Sequence, residues 1–183
     1  MRAEDFSKFV AEQQIAEDES KVDWAGIRKE WLKDLDALYK RVTEYLYDYI
    51  KAGSITYAFT KIRLAEENIG EYLAKRMDIK IGRQRVSLVP VGTLLIGCKG
   101  RVDVKGHARQ AQLLLVDEKA KSAADLIKIT VKVGRKGSIP QPPHDQNEQI
   151  SWSWKIVTRT FPRRFVDLDK SAFLELLMEI ANA

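Results

Sequence analysis

The chain has 183 residues, of which 45% are hydrophobic and 31% are charged. This size and balance fit one folded domain and exclude a largely disordered protein. The charge is uneven: residues 1–50 carry eight Lys and Arg against twelve Asp and Glu, a net charge of −4, whereas residues 51–170 carry twenty-three against twelve, a net charge of +11. This asymmetry suggests an anionic partner for the second part without identifying it.

The sequence predicts a cytoplasmic protein without a membrane span. Its longest apolar stretch, residues 88–98, is interrupted by Pro90, Gly92 and Gly97 and is shorter than the roughly 20 residues that cross a bilayer. The first residues are polar and acidic, unlike a signal peptide. The single cysteine, Cys98, has no partner for an internal disulfide, which fits a reducing compartment.

Residues 1–53 are predicted to be helical. Residues 4–17 carry a loose apolar stripe, and a much clearer stripe starts at Trp24 and stops before Gly53. Its spacing predicts a helix of about seven turns with one broad apolar face; its N-cap is either Ser20, in a capping box with Asp23, or Asp23 itself. The stripe consists of Trp24, Ile27, Trp31, Leu35, Leu38, Val42, Tyr45 and Tyr49. We expect it to pack on the protein's own sheet; the alternative is a homodimer in which the long helix mediates self-association of a structural protein.

From residue 54 to residue 160 the pattern predicts strands. A first strand begins at Ile55, residues 66–76 are ambiguous between a helix and a strand, and a proline-rich loop spans 134–149. After that loop, Trp152, Trp154 and Ile156 alternate with polar residues, which predicts another strand. The remaining strands are predicted at 78–81, 85–89, 93–104, 108–116 and 126–133. Their short connections favour antiparallel pairing.

Residues 161–183 are predicted to contain a C-terminal helix that starts near Asp169, a good N-cap. The complete pattern predicts a single α+β domain over 1–183. Its mostly antiparallel sheet has six or seven strands and carries the long N-terminal helix and the C-terminal helix on one face.

One group of residues resembles the PD-(D/E)xK nuclease pattern. Asp103 is followed, after an apolar strand, by Asp117 and Lys119. The resemblance implies a divalent metal held by the two acids and a lysine that activates water. If residues 105–106 close a two-residue hairpin, however, the acids lie roughly 30 Å apart along the strands, too far to share a metal. A metal-dependent nuclease is therefore kept as an alternative.

A second group is basic and predicts anion binding. Its members are Arg135, Lys136, Lys155, Arg159, Arg163 and Arg164. Arg and Lys neutralise phosphates, and an exposed Trp152 or Trp154 would stack bases. Because both Trp alternate in phase with Ile156, we expect them in the core instead. Another basic stretch, Lys75, Arg76, Lys80, Arg83 and Arg85, surrounds the first predicted hairpin.

The remaining candidates do not define a catalytic site. Cys98 and His107 lie too far apart in the predicted hairpin to act as a nucleophile and base, and neither His107 nor His144 has metal-ligand spacing. We expect no cofactor and no bound metal. The leading hypothesis is a non-enzymatic binding or accessory protein. Its partner is an anionic macromolecule, either an acidic protein or a nucleic acid, which it contacts through the basic side of its sheet.

Overall fold

A computed structural model describes Lys8 and residues 22–93, 97–126, 151–158 and 163–182. The fold is a single α+β domain built on one antiparallel sheet, as predicted. The predicted helix over 4–17 (apart from Lys8), most of the predicted strand 126–133 and the proline-rich loop 134–149 lie outside the described residues.

The strands of the described residues, seven in number, follow one another in chain order across the sheet, with β1 and β7 at its two ends. The strands are β1 (Ile55–Glu66), β2 (Gly70–Ile81), β3 (Gln84–Gly92), β4 (Gly100–Lys105), β5 (Gln110–Asp117), β6 (Trp152–Val157) and β7 (Phe165–Asp167). Every neighbouring pair is antiparallel. Short connections account for five of the six pairs, because a parallel pair needs a long crossover; the β5–β6 connection, residues 118–151, is the long one.

In the described part of the chain, three helices with defined bounds accompany the sheet: α1 (Trp24–Tyr45), α2 (Tyr47–Lys51) and α3 (Lys170–Ala181). Asp23 caps α1 by accepting a hydrogen bond from the Gly26 amide at 2.8 Å, and Asp169 caps α3 in the same way through the Ala172 amide. The predicted long helix is interrupted at Leu46, so that α2 is a separate short helix.

The core lies between the helices and one face of the sheet. Trp31 of α1 contacts Trp154 of β6, with ring centroids 6.2 Å apart, and Tyr45 of α1 contacts Phe173 of α3 at 6.1 Å. The middle of the apolar stripe of α1, from Trp31 to Val42, is buried in the same core as the sheet, as expected. From the sheet, the core receives alternate residues that include Met77, Ile79, Val86, Leu88, Val102, Val104, Leu113, Leu115, Trp154 and Ile156.

The β1–β2 hairpin is longer than its pairing with β3, and its turn end contacts the residue that follows β3. Only residues 77–81 of β2 pair with β3, whereas β1 and β2 pair over their full lengths without a bulge. Glu66, at the end of β1, accepts hydrogen bonds from the Thr93 amide at 2.7 Å, from the Thr93 hydroxyl at 2.9 Å and from the Tyr72 hydroxyl. A Cβ on Gly92, which has φ +146°, would lie 2.7 Å from the Glu66 Cδ. The hairpin end is thus fixed to β3.

Several strand boundaries differ from the predictions. Residues 70–76, part of the ambiguous stretch 66–76, belong to β2; β4 begins at Gly100 rather than at residue 93; and β7 is absent from the sequence prediction. Leu126 lies in a helical turn instead of starting a strand. The β4–β5 connection contains residues 106–109, so Val104 faces Ala111 and not residue 107. The predicted two-residue hairpin was wrong because the Gly106 amide bonds to the Arg109 carbonyl, which makes a wider loop.

Candidate functional site

The face of β2, β3 and β4 opposite the helices carries polar and charged side chains. Residues alternate between the two faces of a strand, and the register aligns these polar positions on neighbouring strands. We call this the open face. Its five cations, which we call the basic surface, are Arg76, Lys80, Arg85, Arg101 and Lys105.

Two members of the basic surface face each other at one end of the open face. Lys80 and Arg85 are directly opposite across the β2–β3 hairpin, and both are exposed. Neither forms an ion pair with another residue that the structure describes. Like charges directly opposite each other on a sheet repel, so this pair is available to an anion that neutralises both.

Arg76 is held in place by Asp78, two residues along β2. Its Nε and Nη2 donate to the same carboxylate oxygen, at 3.1 and 2.8 Å. The other oxygen of Asp78 accepts a hydrogen bond from the Ser87 hydroxyl on β3 at 2.5 Å. Two of the five N–H donors of Arg76 are thereby fixed, and the ion pair orients the guanidinium.

The same arrangement recurs on β4. Arg101 donates from Nε and Nη2 to the two oxygens of Asp103, at 2.7 and 3.1 Å, which is a bidentate pair. The Lys105 ammonium lies 3.9 Å from the same carboxylate and is half exposed. The buried carboxylate of Asp103 therefore lies beside two cations. With five cations and two carboxylates, the open face of β2, β3 and β4 has a net positive charge.

The environment of Asp78 favours its ionised form. Burial alone would raise the pKa of this carboxyl, but the hydrogen bonds from Ser87 and Arg76, together with the charge of Arg76, outweigh it. The pKa of Asp78 is therefore lower than its ordinary value. Asp78 is a carboxylate at neutral pH and holds Arg76 by charge as well as by hydrogen bonds.

The sequence-predicted anion-binding residues have different surroundings. Lys155 is buried, with its side chain 6% exposed; its ammonium donates to the Glu118 carbonyl at 2.6 Å and pairs with Asp167 at 3.0 Å. The charge of Lys155 is thus neutralised by Asp167 of the same chain. Arg163 and Arg164 are exposed just before β7. Arg135, Lys136 and Arg159 lie outside the described residues.

The tryptophans of β6 are on the helix side, as expected. Trp154 is 5% exposed and packs against Trp31, and Trp152 is partly buried against the same core. Base stacking on Trp154 is therefore not available to a ligand on the open face.

The residues that resemble a nuclease pattern are not brought together. Asp103 faces Gln112, and Asp117 lies five positions further along β5, about 17 Å away and on the other face of the sheet. The expected separation of roughly 30 Å was too large because the loop is wider than predicted. Asp117 instead accepts a hydrogen bond from the Lys119 amide at 2.8 Å in a turn. Asp103 is occupied by Arg101.

Cysteine, histidine and acidic residues form no other reactive group in the described part of the chain. Burial raises the pKa of the Cys98 thiol to about 11, which disfavours the thiolate that a nucleophile requires. His107 is exposed in the β4–β5 loop. Among the described residues, no three His, Cys, Asp or Glu side chains are grouped so that they could hold a metal ion.

Two members of the basic surface were missed in the sequence. Arg101 and Lys105 were not singled out, although the alternation of charged and apolar residues over Gly100–Lys105 is itself a signal of a two-faced strand. Arg76, Lys80 and Arg85 were noted as a basic stretch but not as one surface with β4. The missing information was the register, which aligns the three strands.

Within the described residues, no helix has the length and apolar character needed to cross a membrane. Comparisons of the chain with protein-family models, with curated proteins and with solved structures find no match. The functional argument therefore depends on the chemistry of the open face.

Proposed function

We propose that the chain is a non-enzymatic accessory protein whose open face binds the phosphate backbone of a nucleic acid. The observation that carries this proposal is the basic surface: five cations on one sheet face, interspersed with the two carboxylates of Asp78 and Asp103. Lys and Arg that neutralise phosphates release condensed counterions, and this release supplies sequence-independent affinity.

The layout of the cations favours an extended anion over a small one. Arg101 and Lys105 are four positions apart on β4, about 13 Å, whereas Arg85 is on the neighbouring strand β3 and Lys80 is one strand further, on β2. These charges do not converge on a single point, as they would around one phosphate or carboxylate. A polyanion that crosses the strands would contact several of them at once.

The same surface fits a nucleic acid better than an acidic protein. Protein interfaces are centred on buried apolar or aromatic anchors, whereas nucleic-acid interfaces are more polar and more positively charged. The open face of β2, β3 and β4 bears Arg, Lys, Asp and Ser, and Val89 is partly buried there. No exposed aromatic residue belongs to this part of the described face, so we expect contacts to phosphates rather than stacked bases.

A binding role is also supported by how the acids of this face are used. Asp78 and Asp103 both accept hydrogen bonds from arginines, so neither carboxylate is free to bind a metal or to take a proton from water. Carboxylate-dependent cleavage on this face would need such a group. We therefore expect binding without hydrolysis.

The test is fluorescence anisotropy with labelled DNA and RNA duplexes and single strands at low salt. In the Lys80→Glu/Arg85→Glu variant we expect affinity to fall by roughly tenfold or more, because two phosphate contacts become repulsive. The matched control, Lys29→Glu/Lys33→Glu, changes the net charge equally on an exposed side of α1 and should have a much smaller effect.

Two results would overturn the proposal. An equal loss of affinity in both double variants would mean that net charge, and not the open face, controls binding. Failure of the wild-type protein to bind any of the nucleic acids at low salt, together with binding of a polyglutamate chain that depends on Lys80 and Arg85, would point to an acidic protein as the partner.

A further inference from the structure

The two edges of the sheet differ in how they are protected. The edge strand β7 has three residues and follows Arg163 and Arg164, whereas the edge strand β1 has twelve residues. Natural proteins protect sheet edges with short strands, charges, proline or bulges. Residues 55–60 of β1 have no charge, no proline and no bulge in their pairing with β2. No described residue pairs with the outer side of β1.

This unprotected part of β1 also exposes aromatic side chains. Tyr57 is 40% exposed and Phe59 is 46% exposed, and their rings contact each other edge-on at 5.7 Å. Phe59 also contacts Tyr39 of α1 at 5.4 Å. The edge therefore combines backbone hydrogen-bonding groups that have no strand partner among the described residues with an apolar surface, the two features that strand addition requires.

We propose that the chain forms a symmetric dimer in which β1 pairs with β1 of a second copy, antiparallel and centred on Ala58. In this register Ala58 faces Ala58 of the second copy, Tyr57 faces Phe59 of the second copy, and Thr56 faces its Thr60. Aromatic pairs and Thr–Thr pairs across antiparallel strands are stabilising. A two-fold axis repeats each unlike pair, so both aromatic residues of both copies are used.

This register sets no like charges opposite each other, and the charges on β1 disfavour registers centred further along the strand. Centred on Ala58, it aligns Lys61 with Ile55 and Arg63 with Gly53 of the second copy. A register centred on Lys61 would set two lysines directly opposite each other, which is destabilising. Two copies of β1 can therefore pair around Ala58 without placing like charges opposite each other. This favours a second copy of the chain as the partner strand at this edge.

The dimer would extend the open face. The two-fold axis of such a pair is perpendicular to the sheet, so both open faces lie on the same side. Thr56, Ala58 and Thr60, which project to that side, form an uncharged strip between the two basic surfaces. One polyanion could then contact both copies, with the gain in affinity that bivalent binding provides. The dimer itself does not depend on the proposed nucleic-acid binding.

Single cysteines test both the dimer and its register. In a Cys98→Ser background, Ala58→Cys would bring two thiols together at the two-fold axis, because directly opposite residues have Cα atoms about 4.5–5.5 Å apart, within reach of a disulfide. Under mild oxidation we expect a covalent dimer. Thr56→Cys and Thr60→Cys project from the same strand face, but each would lie about 13 Å from its own copy. Each alone should form no covalent dimer under the same oxidation, whereas their mixture should cross-link.

Sedimentation equilibrium of the unmodified chain provides a second measurement. We expect a dimer that Tyr57→Lys dissociates and that Val166→Lys, a matched change at a 44% exposed position on the opposite edge, leaves intact. A monomer at all concentrations, dissociation by Val166→Lys alone, or cross-linking of Thr56→Cys as fast as Ala58→Cys would each overturn the proposal. Thermal unfolding of each variant verifies that it is folded.

Discussion

Arg101 and Asp103 lie two residues apart on β4 and form a bidentate ion pair, with N–O distances of 2.7 and 3.1 Å. The acid is nearly buried, while the arginine retains further N–H donors on the open face. The pair therefore has two separable effects: Asp103 stabilises the fold and orients Arg101, and Arg101 supplies charge to the basic surface.

These effects are separated by changing one partner at a time. We expect Asp103→Asn to lower the free energy of unfolding by about 1–3 kcal/mol, because a charge-assisted hydrogen-bond pair is weakened, and to strengthen polyanion binding, because a negative charge is removed. Arg101→Gln should weaken binding. Urea unfolding and anisotropy measure the two effects. Weaker binding by a folded Asp103→Asn protein would mean that the orientation of Arg101 matters more than the local charge.

The lowered pKa of Asp78 predicts a loss of stability in acid. A carboxyl whose folded-state pKa is below its unfolded-state value stabilises the fold fully above the unfolded value, near 3.8, and loses this contribution as the pH falls through the folded value. The stability difference between the wild-type protein and Asp78→Asn should thus be constant near neutral pH and shrink below about pH 4. Urea unfolding at a series of pH values tests this. A difference that does not change in acid would contradict the assigned pKa direction.

Gly100 is predicted to tolerate no side chain, because a Cβ there would lie 2.2 Å from the Trp31 ring. Gly100→Ala should lower the free energy of unfolding by about 1–3 kcal/mol through overpacking. If this contact is the cause, the double variant Gly100→Ala/Trp31→Leu should be more stable than the sum of the single effects predicts. Strict additivity would show that Gly100 is required for another reason.

Cys98 is expected to react slowly. With its pKa raised to about 11 by burial, its thiolate fraction at pH 8 is roughly a hundredfold smaller than that of an exposed cysteine. A disulfide reagent at pH 8 should therefore modify the folded protein far more slowly than the protein in urea. Equal rates in the two states would contradict this environment.

Tryptophan emission should report the core and not the ligand. Trp31 and Trp154 are buried together on the helix side of the sheet, so iodide should quench little of their emission. Saturation with an oligonucleotide should leave the emission of a Trp24→Phe/Trp152→Phe variant nearly unchanged, because the open face is on the other side. Strong quenching of Trp154 would mean that bases reach the helix side.

The sequence predicts the layers of this fold better than it predicts its surface. The apolar stripe from Trp31 to Val42 and the alternation around Trp154 are strong periodic signals, and both residue sets are buried as expected. The caps at Asp23 and Asp169 are local interactions that a short segment determines. The helix stripe, the strand alternation and the two N-caps all depend on residues that are close in sequence.

The register of the sheet depends on more than local sequence. The wider loop at 106–109 moved Asp103 from its predicted partner to Gln112 and shortened its predicted distance from Asp117. Lys155 has the composition of a surface residue, yet it is buried because Asp167, on the unpredicted strand β7, and the Glu118 carbonyl accept its hydrogen bonds. The sequence shows where each basic residue is. Which of these residues share a face of the sheet depends on the pairing between strands.

Salt dependence of nucleic-acid binding tests the role of the basic surface most directly. The slope of log affinity against log salt measures the number of phosphates that are neutralised, at about 0.9 per contact for duplex DNA. Compared with the wild-type protein, we expect Lys80→Gln/Arg85→Gln to have a slope that is smaller by roughly 1.8, whereas Lys29→Gln/Lys33→Gln should keep the wild-type slope. An unchanged slope in the Lys80→Gln/Arg85→Gln protein, or an equal decrease in both proteins, would contradict binding by the open face.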